Sequence, residues 1–279
     1  MKKHLLIIIC LLVSVCRAQQ NNPFTLYTAD KFLALKGAVR SLVIYNLREE
    51  TSGETTEEIY MRYFFTPQGV ITHIVSYNNG AEESVSYYKY DAEGKIRECS
   101  TQYASEGIIP TKTLFFYNRD NSIVKEKHFS EGQLLRMIEK HYNNKKQQEE
   151  KQILYDDKEK VYSTIIYSYD TQGHQNQIEN YDSSGKRINR TIRKFDEKGN
   201  IYESILYNEA DQETRKIYFT YDKYNNITRR KIENIRPSPK TTVQTLRYEY
   251  DTHHNYIQET CLSGSEVLYT QKREISYYD

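Results

Sequence analysis

The stretch Tyr167-Ser168-Tyr169-Asp170-Thr171-Gln172-Gly173 contains a phrase that recurs along the whole chain. It joins two aromatic residues in Tyr-x-Tyr spacing to an Asp, two loop residues and a Gly. The aromatic anchors of these phrases form two interleaved series with steps of 25 to 27 residues, which is typical of a repeat architecture. The first series is Tyr77, Tyr103, Phe129, Tyr155, Tyr181 and Tyr207, and the second is Tyr90, Tyr117, Tyr142, Tyr169, Phe195 and Tyr221.

Each anchor predicts the end of a β-strand followed by a tight turn. Asp or Asn directly after an anchor, as at Asp170 and Asn208, can accept hydrogen bonds from the backbone that follows it. The Gly or Asn after that, as at Gly173 and Asn225, supplies the residue of positive φ that a chain reversal needs. One strand plus one turn takes about 13 residues, the interval expected of an antiparallel meander.

The repeat therefore predicts an all-β fold, a repetitive antiparallel meander of about 16 strands forming one long sheet. Open sheets of more than about ten strands usually curl because strand twist accumulates. We expect a strongly twisted sheet that is coiled or partly closed. The chain ends within the anchor phrase, at Tyr277-Tyr278-Asp279, which predicts a sheet edge at the last strand. The Tyr-x-Tyr pairs could stack across one face of the sheet.

Residues 1–18 have the features of a secretory signal peptide: a basic start, an apolar run and a small residue, Ala18, at the cleavage site. Lipid attachment at Cys16 is the less favoured alternative, because the preceding residue is Val15 and not a small one. We expect an exported protein, periplasmic or extracellular. Residues 19–65 are interpreted as an N-terminal lead and a first hairpin, and residues 66–279 as a repeat array in the same domain.

The composition restricts the partners. The chain has 27 Tyr and 9 Phe but no Trp, and 28% of its residues are charged. Removal of residues 1–18 takes away three basic residues and no acid, which changes the formal net charge from +1 to −2. A near-neutral chain gives no electrostatic case for nucleic acid. Neither strand face offers the continuous apolar band that lipid requires, so no membrane span is predicted. The oligomeric state stays open.

Four phrases of the array resemble the YD repeat of the RHS-like family. The resemblance covers about residues 63–279, and it implies a spiralling β-sheet in an exported protein. The chain is similar to a short secreted bacterial member without the toxin domain that some members enclose. The four phrases are Tyr90-Asp91-Ala92-Glu93-Gly94-Lys95-Ile96, Tyr169-Asp170-Thr171-Gln172-Gly173, Tyr181-Asp182-Ser183-Ser184-Gly185 and Phe195-Asp196-Glu197-Lys198-Gly199-Asn200-Ile201.

Familiar signatures of catalysis are absent from the sequence, among them a nucleophile elbow, a phosphate loop and a zinc-protease motif. We predict no enzyme, no catalytic residue, no cofactor and no metal site. The repeat breaks at residues 233–240, where two prolines interrupt the pattern. Cys99 and Cys261 are two separate thiols or, if the array closes, a disulfide. The candidate binding residues are Tyr88, Tyr167, Tyr248, His253 and His254.

Three hypotheses of function follow. The first is a non-catalytic interaction or scaffold protein of the cell envelope, with a protein or a cell-surface glycan as partner. The second is a carbohydrate-binding protein, because exposed tyrosine rings can stack on sugars. The third is a small hydrolase with its site near residues 233–240, since a pair of carboxylates leaves no local signature.

Overall fold

A computed structural model describes Leu33 and residues 35–49, 54–143 and 148–279. The predicted signal peptide and most of the predicted lead lie outside the described residues. Within the described ranges, no helix is long and apolar enough to cross a membrane.

The described chain forms one sheet of 18 strands, and each strand pairs with its neighbours in sequence. The strands are β1 (Val39–Glu49), β2 (Thr55–Phe65), β3 (Ile71–Asn78), β4 (Ala81–Tyr90), β5 (Ile96–Tyr103), β6 (Thr111–Tyr117), β7 (Ile123–Ser130), β8 (Gln133–Tyr142), β9 (Glu149–Tyr155), β10 (Val161–Tyr169), β11 (Gln175–Asp182), β12 (Arg187–Phe195), β13 (Ile201–Tyr207), β14 (Glu213–Tyr221), β15 (Ile227–Asn234), β16 (Lys240–Tyr250), β17 (Tyr256–Ser263) and β18 (Glu266–Tyr277).

The sheet is closed, because β1 pairs with β2 on one side and with β18 on the other. Pairing along the closing seam runs from Val39 opposite Tyr277 to Leu47 opposite Thr270. The predicted all-β antiparallel meander is confirmed. The coiled or partly closed sheet of about 16 strands and the edge at the last strand are wrong. The array at residues 66–279 has 16 strands, but the N-terminal hairpin adds two more and joins the ends, so that no edge is left unpaired.

The two faces of the closed sheet differ in exposure. We call the face that carries Leu42, Tyr63, Glu126, Lys140 and Leu246 the inner face, and the opposite one the outer face. Lys140 and Glu126 keep only 17% and 16% of their side-chain surface exposed. On the outer face, Lys89 and Lys194 are 67% and 50% exposed, although their partners Glu98 and Glu203 are only 17% and 12% exposed, so the difference between the faces lies in the lysines. The outer face carries cross-strand ion pairs, including Lys89–Glu98, Lys125–Glu139, Lys194–Glu203 and Lys272–Glu57.

The largest apolar cluster lies beside the closing seam. Leu42 has no exposed surface, and burying a leucine completely contributes about 1.5–3 kcal/mol. A second, smaller cluster lies between β5 and β7 and consists of Ile96, Phe115 and Ile123. The first cluster consists of Leu35, Val39, Leu42, Ile44, Tyr63, Phe65 and Ile71.

The predicted turn chemistry is confirmed at nine turns. Asn78 also follows an anchor, and the pattern predicts the same role for it, but it is the last residue of β3, and the chain reverses at Asn79 and Gly80, which have φ +50° and +75°. At Asp170, Oδ1 accepts hydrogen bonds from the backbone N–H groups of Gln172 and His174 at 2.9 Å. Gly173 then has φ +93°. At three turns the residue of positive φ is neither Gly nor Asn, because the Asx hydrogen bonds hold the reversal: Glu159, Asp211 and His254. The nine turn residues are Asp91, Asn118, Asp156, Asp170, Asp182, Asp196, Asn208, Asp222 and Asp251.

Buried polar side chains join successive turns at one end of the closed sheet. Gln148 donates from Nε2 to the Gly173 carbonyl at 3.3 Å, and Asn200 donates from Nδ2 to Asn225 Oδ1 at 3.2 Å. Asn255 accepts from the Lys36 backbone N–H at 2.7 Å and donates to the Lys36 carbonyl at 2.8 Å. These bonds satisfy buried amides and fix the N-terminal segment to the turn before β17.

Candidate functional site

The tyrosines of the second anchor series perform a repeated structural task on the inner face. The hydroxyl of Tyr90 at the end of β4 donates to the carbonyl of Ile71 at the start of β3 at 2.8 Å. The same bond recurs one repeat later, from Tyr117 to Ile96. A hydroxyl that donates its proton to a backbone carbonyl cannot also donate it to a ligand. Further bonds of this kind run from Tyr142 to Ile123, Tyr169 to Glu149, Tyr221 to Ile201 and Tyr248 to Ile227.

The three tyrosines predicted to bind a ligand lie far apart. Tyr88, Tyr167 and Tyr248 belong to β4, β10 and β16, each six strands from the next around the closed sheet. Tyr88 packs against both apolar clusters. Burial raises the pKa of Tyr167, and Tyr248 meets Tyr256 edge to face at 5.2 Å. The structure therefore brings them together in no common site, because it places each of them in the inner packing.

His253 and His254 occupy the turn between β16 and β17, but their rings separate. His253 stacks on Tyr277 at 4.1 Å between ring centroids, and His254 stacks on Tyr224 at 5.2 Å. The His253 ring also approaches Gly37 of the N-terminal segment. In the described residues no group of three or more His, Cys, Asp or Glu could hold a metal ion. The pair closes the sheet end against the N-terminal segment.

The predicted break at residues 233–240 consists of the end of β15, the turn of residues 235–239 and the first residue of β16, with a cis peptide bond between Arg236 and Pro237. The backbone N–H of Ile235 donates to the Thr214 carbonyl at 2.8 Å and holds this turn against the neighbouring hairpin. The side-chain hydrogen bond from Lys231 lowers the pKa of Glu233. A carboxyl held ionised in this way is poorly suited to act as a general acid.

Cys99 and Cys261 are not joined by a disulfide. They lie on β5 and β17, six strands apart along the shorter way around the sheet. At a strand spacing of about 4.8 Å this separation far exceeds the reach of a disulfide bond.

The clearest departure from the repeat is the junction of β5 and β6. Only four residues of β5, Glu98 to Thr101, pair with β6, the fewest of any neighbouring strands in the described part of the chain. Residues 104–110 form the connecting loop, with Ile108 and Ile109 exposed at 50% and 40%. The repeat pattern does not reveal this junction, because the 26-residue step from Tyr103 to Phe129 is intact across it. The detectable signal was two apolar residues before Pro110, inside a turn.

A groove lies beside this loop, mainly on the outer face. Its volume is about 480 Å³. The outer-face positions of β5 and β6 next to it include Ser100 and Lys112, which are paired with each other. Its lining includes Gln102, Pro110, Lys112, Leu114, Phe129 and Gly132.

Aromatic and apolar side chains extend the groove along the outer face. Phe64, His73 and Tyr87 stack in a row across β2, β3 and β4, with ring centroids 4.1 Å and 5.8 Å apart. Tyr87 ends this row and is exposed, as are Phe116 on β6 and Leu135 on β8. We call Tyr87, Ile108, Ile109, Phe116 and Leu135, together with the groove, the outer patch. Its exposed apolar side chains lie on β4, β6, β8 and the β5–β6 loop, with the ion pairs of Glu98 to Lys89 and Lys112 among them, and we take it as the candidate interaction site.

The inner face near β7–β9 holds a cluster of buried charges. Lys140 Nζ lies 2.6 Å from Glu126 Oε1, and His128 Nδ1 lies 2.9 Å from Thr113 Oγ1. Burial lowers the pKa of His128 to about 4, and burial raises the pKa of Glu149. Lys140 and Glu126 are paired with each other, whereas His128 Nε2 and Glu149 Oε1 are shielded from solvent and have no hydrogen-bond partner.

The comparisons with known proteins leave the family undetermined. No protein-family model matches the chain, and no curated protein matches it. A porin-like protein from Bacteroides uniformis is 11% identical with a TM-score of 0.46, covering 87% of this chain and 99% of that one. A porin-like protein from Bacteroides vulgatus is 10% identical with a TM-score of 0.38, covering 86% and 99%.

The chain is also similar to part of a toxin complex, TcdB2-TccC3-Cdc42. The identity is 15%, the TM-score is 0.31, and the match covers 81% of this chain but only 14% of that one. At these values the similarities carry no argument about function.

Proposed function

We propose that this protein is a non-catalytic, exported binding protein of the cell envelope, and that its outer patch contacts a protein partner. The observation that carries the proposal is the placement of exposed apolar side chains at the β5–β6 junction. Apolar residues grouped on a charged surface are typical of interaction sites. Ile108 and Ile109 stand on a loop, where binding residues are common.

The repeat itself is proposed to be a degenerate YD array of the RHS-like kind. Its Tyr hydroxyls and Asp side chains are used within the sheet, in strand contacts and turns. We therefore assign the repeat to the scaffold, and the partner-binding surface to the place where the repeat pairing is weakest. The ion pairs of the outer face suit a water-exposed setting, either periplasmic or extracellular.

Site-directed photo-crosslinking tests the proposal. A photoreactive amino acid is placed at Ile109, and as a matched control at Val161 on β10, which is equally exposed at 40%. The expected result in intact envelopes is one discrete crosslinked species from position 109 and none from position 161. The same products from both positions, or none from position 109, would contradict a binding surface at the outer patch.

Carbohydrate binding is the second candidate, and the exposed ring of Tyr87 favours it. Tyr87 is held in place by its contact with His73, so its open face could stack on a sugar ring. A glycan array with the wild-type protein and the Tyr87→Ala variant distinguishes the two functions. Binding that disappears in the variant supports the glycan, and an array without signal leaves the protein partner as the proposal.

A further inference from the structure

Arg273 is an arginine of β18 whose guanidinium makes no direct ion pair on the inner face among the described residues. Its guanidinium carbon lies 3.5 Å from the centroid of the Tyr256 ring, so the two planar groups are in close contact. Its Nε atom is shielded from solvent and has no hydrogen-bond acceptor. In the described part of the chain, no ion pair or hydrogen bond of this side chain occurs. The Nε–H group is therefore buried without an acceptor, which is unfavourable and points to a missing partner.

The charges around Arg273 are unbalanced. Arg230 on β15 also lies on the inner face, and its Nε atom likewise has no acceptor. Glu259 on β17 is the acid that acts electrostatically on Arg273, and its Oε1 already accepts a hydrogen bond from Tyr269 at 2.7 Å. Two arginines facing one carboxylate leave one positive charge, and a single negative charge would balance it.

We propose that Arg273 binds the carboxylate of a small ligand on the inner face of the closed sheet. The Nε–H group and one terminal N–H group lie on the same edge of a guanidinium and match the two oxygens of a carboxylate. Tyr256 covers one flat side of the guanidinium, so a carboxylate has to approach along this edge, and the side chains that shield Nε from solvent have to move aside to admit it. A monoanion suits the charge balance better than a phosphate dianion does.

The surroundings limit the kind of carboxylate. Tyr63 and Tyr248 act electrostatically on Arg273 and place two more aromatic rings near it. The hydroxyl of Tyr248 is occupied by the Ile227 carbonyl, so its ring face is the part that a ligand would meet. Aromatic faces around a guanidinium suit a compact organic acid, either a sugar acid or a simple carboxylate.

Thermal unfolding of the mature protein tests the site with two probes, sodium glucuronate and sodium acetate, against sodium chloride at equal ionic strength. A ligand that binds only the folded state raises Tm as its concentration passes Kd. We expect Tm to rise with glucuronate and not with chloride, whether or not acetate also raises it. A rise in Tm with glucuronate alone would identify a sugar acid as the ligand. A rise with each of the two probes would show that a carboxylate is sufficient for binding. No rise with either probe, or an equal rise with chloride, would overturn the proposal.

Variants assign the effect to the residue. Arg273→Met should abolish the carboxylate response, and Arg273→Lys, which keeps the charge but loses the planar fork, should weaken binding at least about tenfold. Arg62→Met on the outer face is the matched control, because its Nε also lacks an acceptor, and it should leave the response unchanged. If Arg273→Met does not fold, Arg273→Lys alone decides. A full response in either Arg273 variant, or its loss in Arg62→Met, would overturn the proposal.

Discussion

The closing seam and the β5–β6 junction are both contacts between neighbouring strands, but the seam is extensively paired and the junction is not. At the closing seam, β1 and β18 share eight paired positions, from Val39 to Leu47. Further bonds reinforce it, including Ser41 Oγ to Ser276 Oγ at 2.6 Å and Tyr278 N–H to the Ala38 carbonyl at 2.8 Å. At the β5–β6 junction only four positions pair.

The difference shows that the extent of pairing between two strands does not follow their proximity in sequence. The strands of the seam are more than 200 residues apart, whereas β5 and β6 are neighbours inside the repeat. Closing a long loop costs entropy, so long-range strands have to be held by many contacts. The β5–β6 junction is held covalently by its loop and tolerates weaker pairing. The weak junction is also where the outer patch lies, since local opening and binding surfaces tend to coincide.

The largest expected effect comes from removing a buried side chain at the seam. Leu42→Ala should reduce the free energy of unfolding by about 2–5 kcal/mol, because it leaves a cavity in the main cluster. Leu114→Ala at the β5–β6 junction removes the same atoms from a half-buried position and should cost only about 1 kcal/mol. Urea unfolding followed by circular dichroism measures both. Equal losses would show that the two contacts do not differ as described.

The second expected effect is a loss of stability in acid, caused by a histidine beside the β5–β6 junction. His128 on β7 contacts Thr113 of β6, and burial lowers its pKa to about 4. As the pH falls, the imidazole of His128 is protonated first in the unfolded chain, near pH 6.5. Its contribution to the free energy of unfolding is therefore complete above pH 6.5. It is lost as the pH falls from about 6.5 to about 4, by up to about 3 kcal/mol. The charged groups that face it are Glu126, Arg136 and Lys140.

His128→Gln provides the control for this pH effect. The variant should unfold with a shallower pH dependence between pH 6.5 and 4, measured by urea unfolding at several pH values. The strands of the closing seam contain no histidine, and His253, which stacks on Tyr277 at the end of β18, is the same in the wild-type protein and the variant, so the difference in slope reports on His128. An unchanged slope in the variant would mean that another group causes the acid sensitivity.

The smallest effect compares two glycines with nearly the same backbone conformation. Gly37 at the seam has φ +85°, and Gly107 in the β5–β6 loop has φ +81°. Alanine in this conformation costs about 1 kcal/mol at either position. At Gly37 the added Cβ would also lie 3.2 Å from atoms of His253 and Tyr277, whereas at Gly107 it would meet nothing within 4 Å.

Gly37→Ala should therefore be the more destabilising of the two, by a total of about 2 kcal/mol against about 1 kcal/mol for Gly107→Ala. The difference in midpoint of urea unfolding measures the packing at the seam alone, since the backbone strain cancels. If Gly107→Ala were as costly as Gly37→Ala, the N-terminal segment would not be packed against the turn of His253 as the structure has it.

Local sequence is sufficient for the strands and turns of this protein. The Asp and Asn side chains that follow the anchors make their hydrogen bonds within four residues, as at Asp170, so neighbouring residues alone dictate the reversal. Strand alternation and the antiparallel order depend on the same short range. For this reason the all-β meander and the position of its turns could be predicted from the periodicity.

Closure and the candidate site depend on contacts that no local pattern contains. Whether β1 meets β18 is decided by the accumulated twist of the intervening strands and by side chains such as Asn255, which binds the backbone of Lys36 across 219 positions of sequence. The same closure turned Tyr88, Tyr167 and Tyr248 inward, and left the β5–β6 junction with its outer patch exposed. A repeat specifies each unit and its neighbours, and only the complete ring decides which face is enclosed and where the pairing is weak.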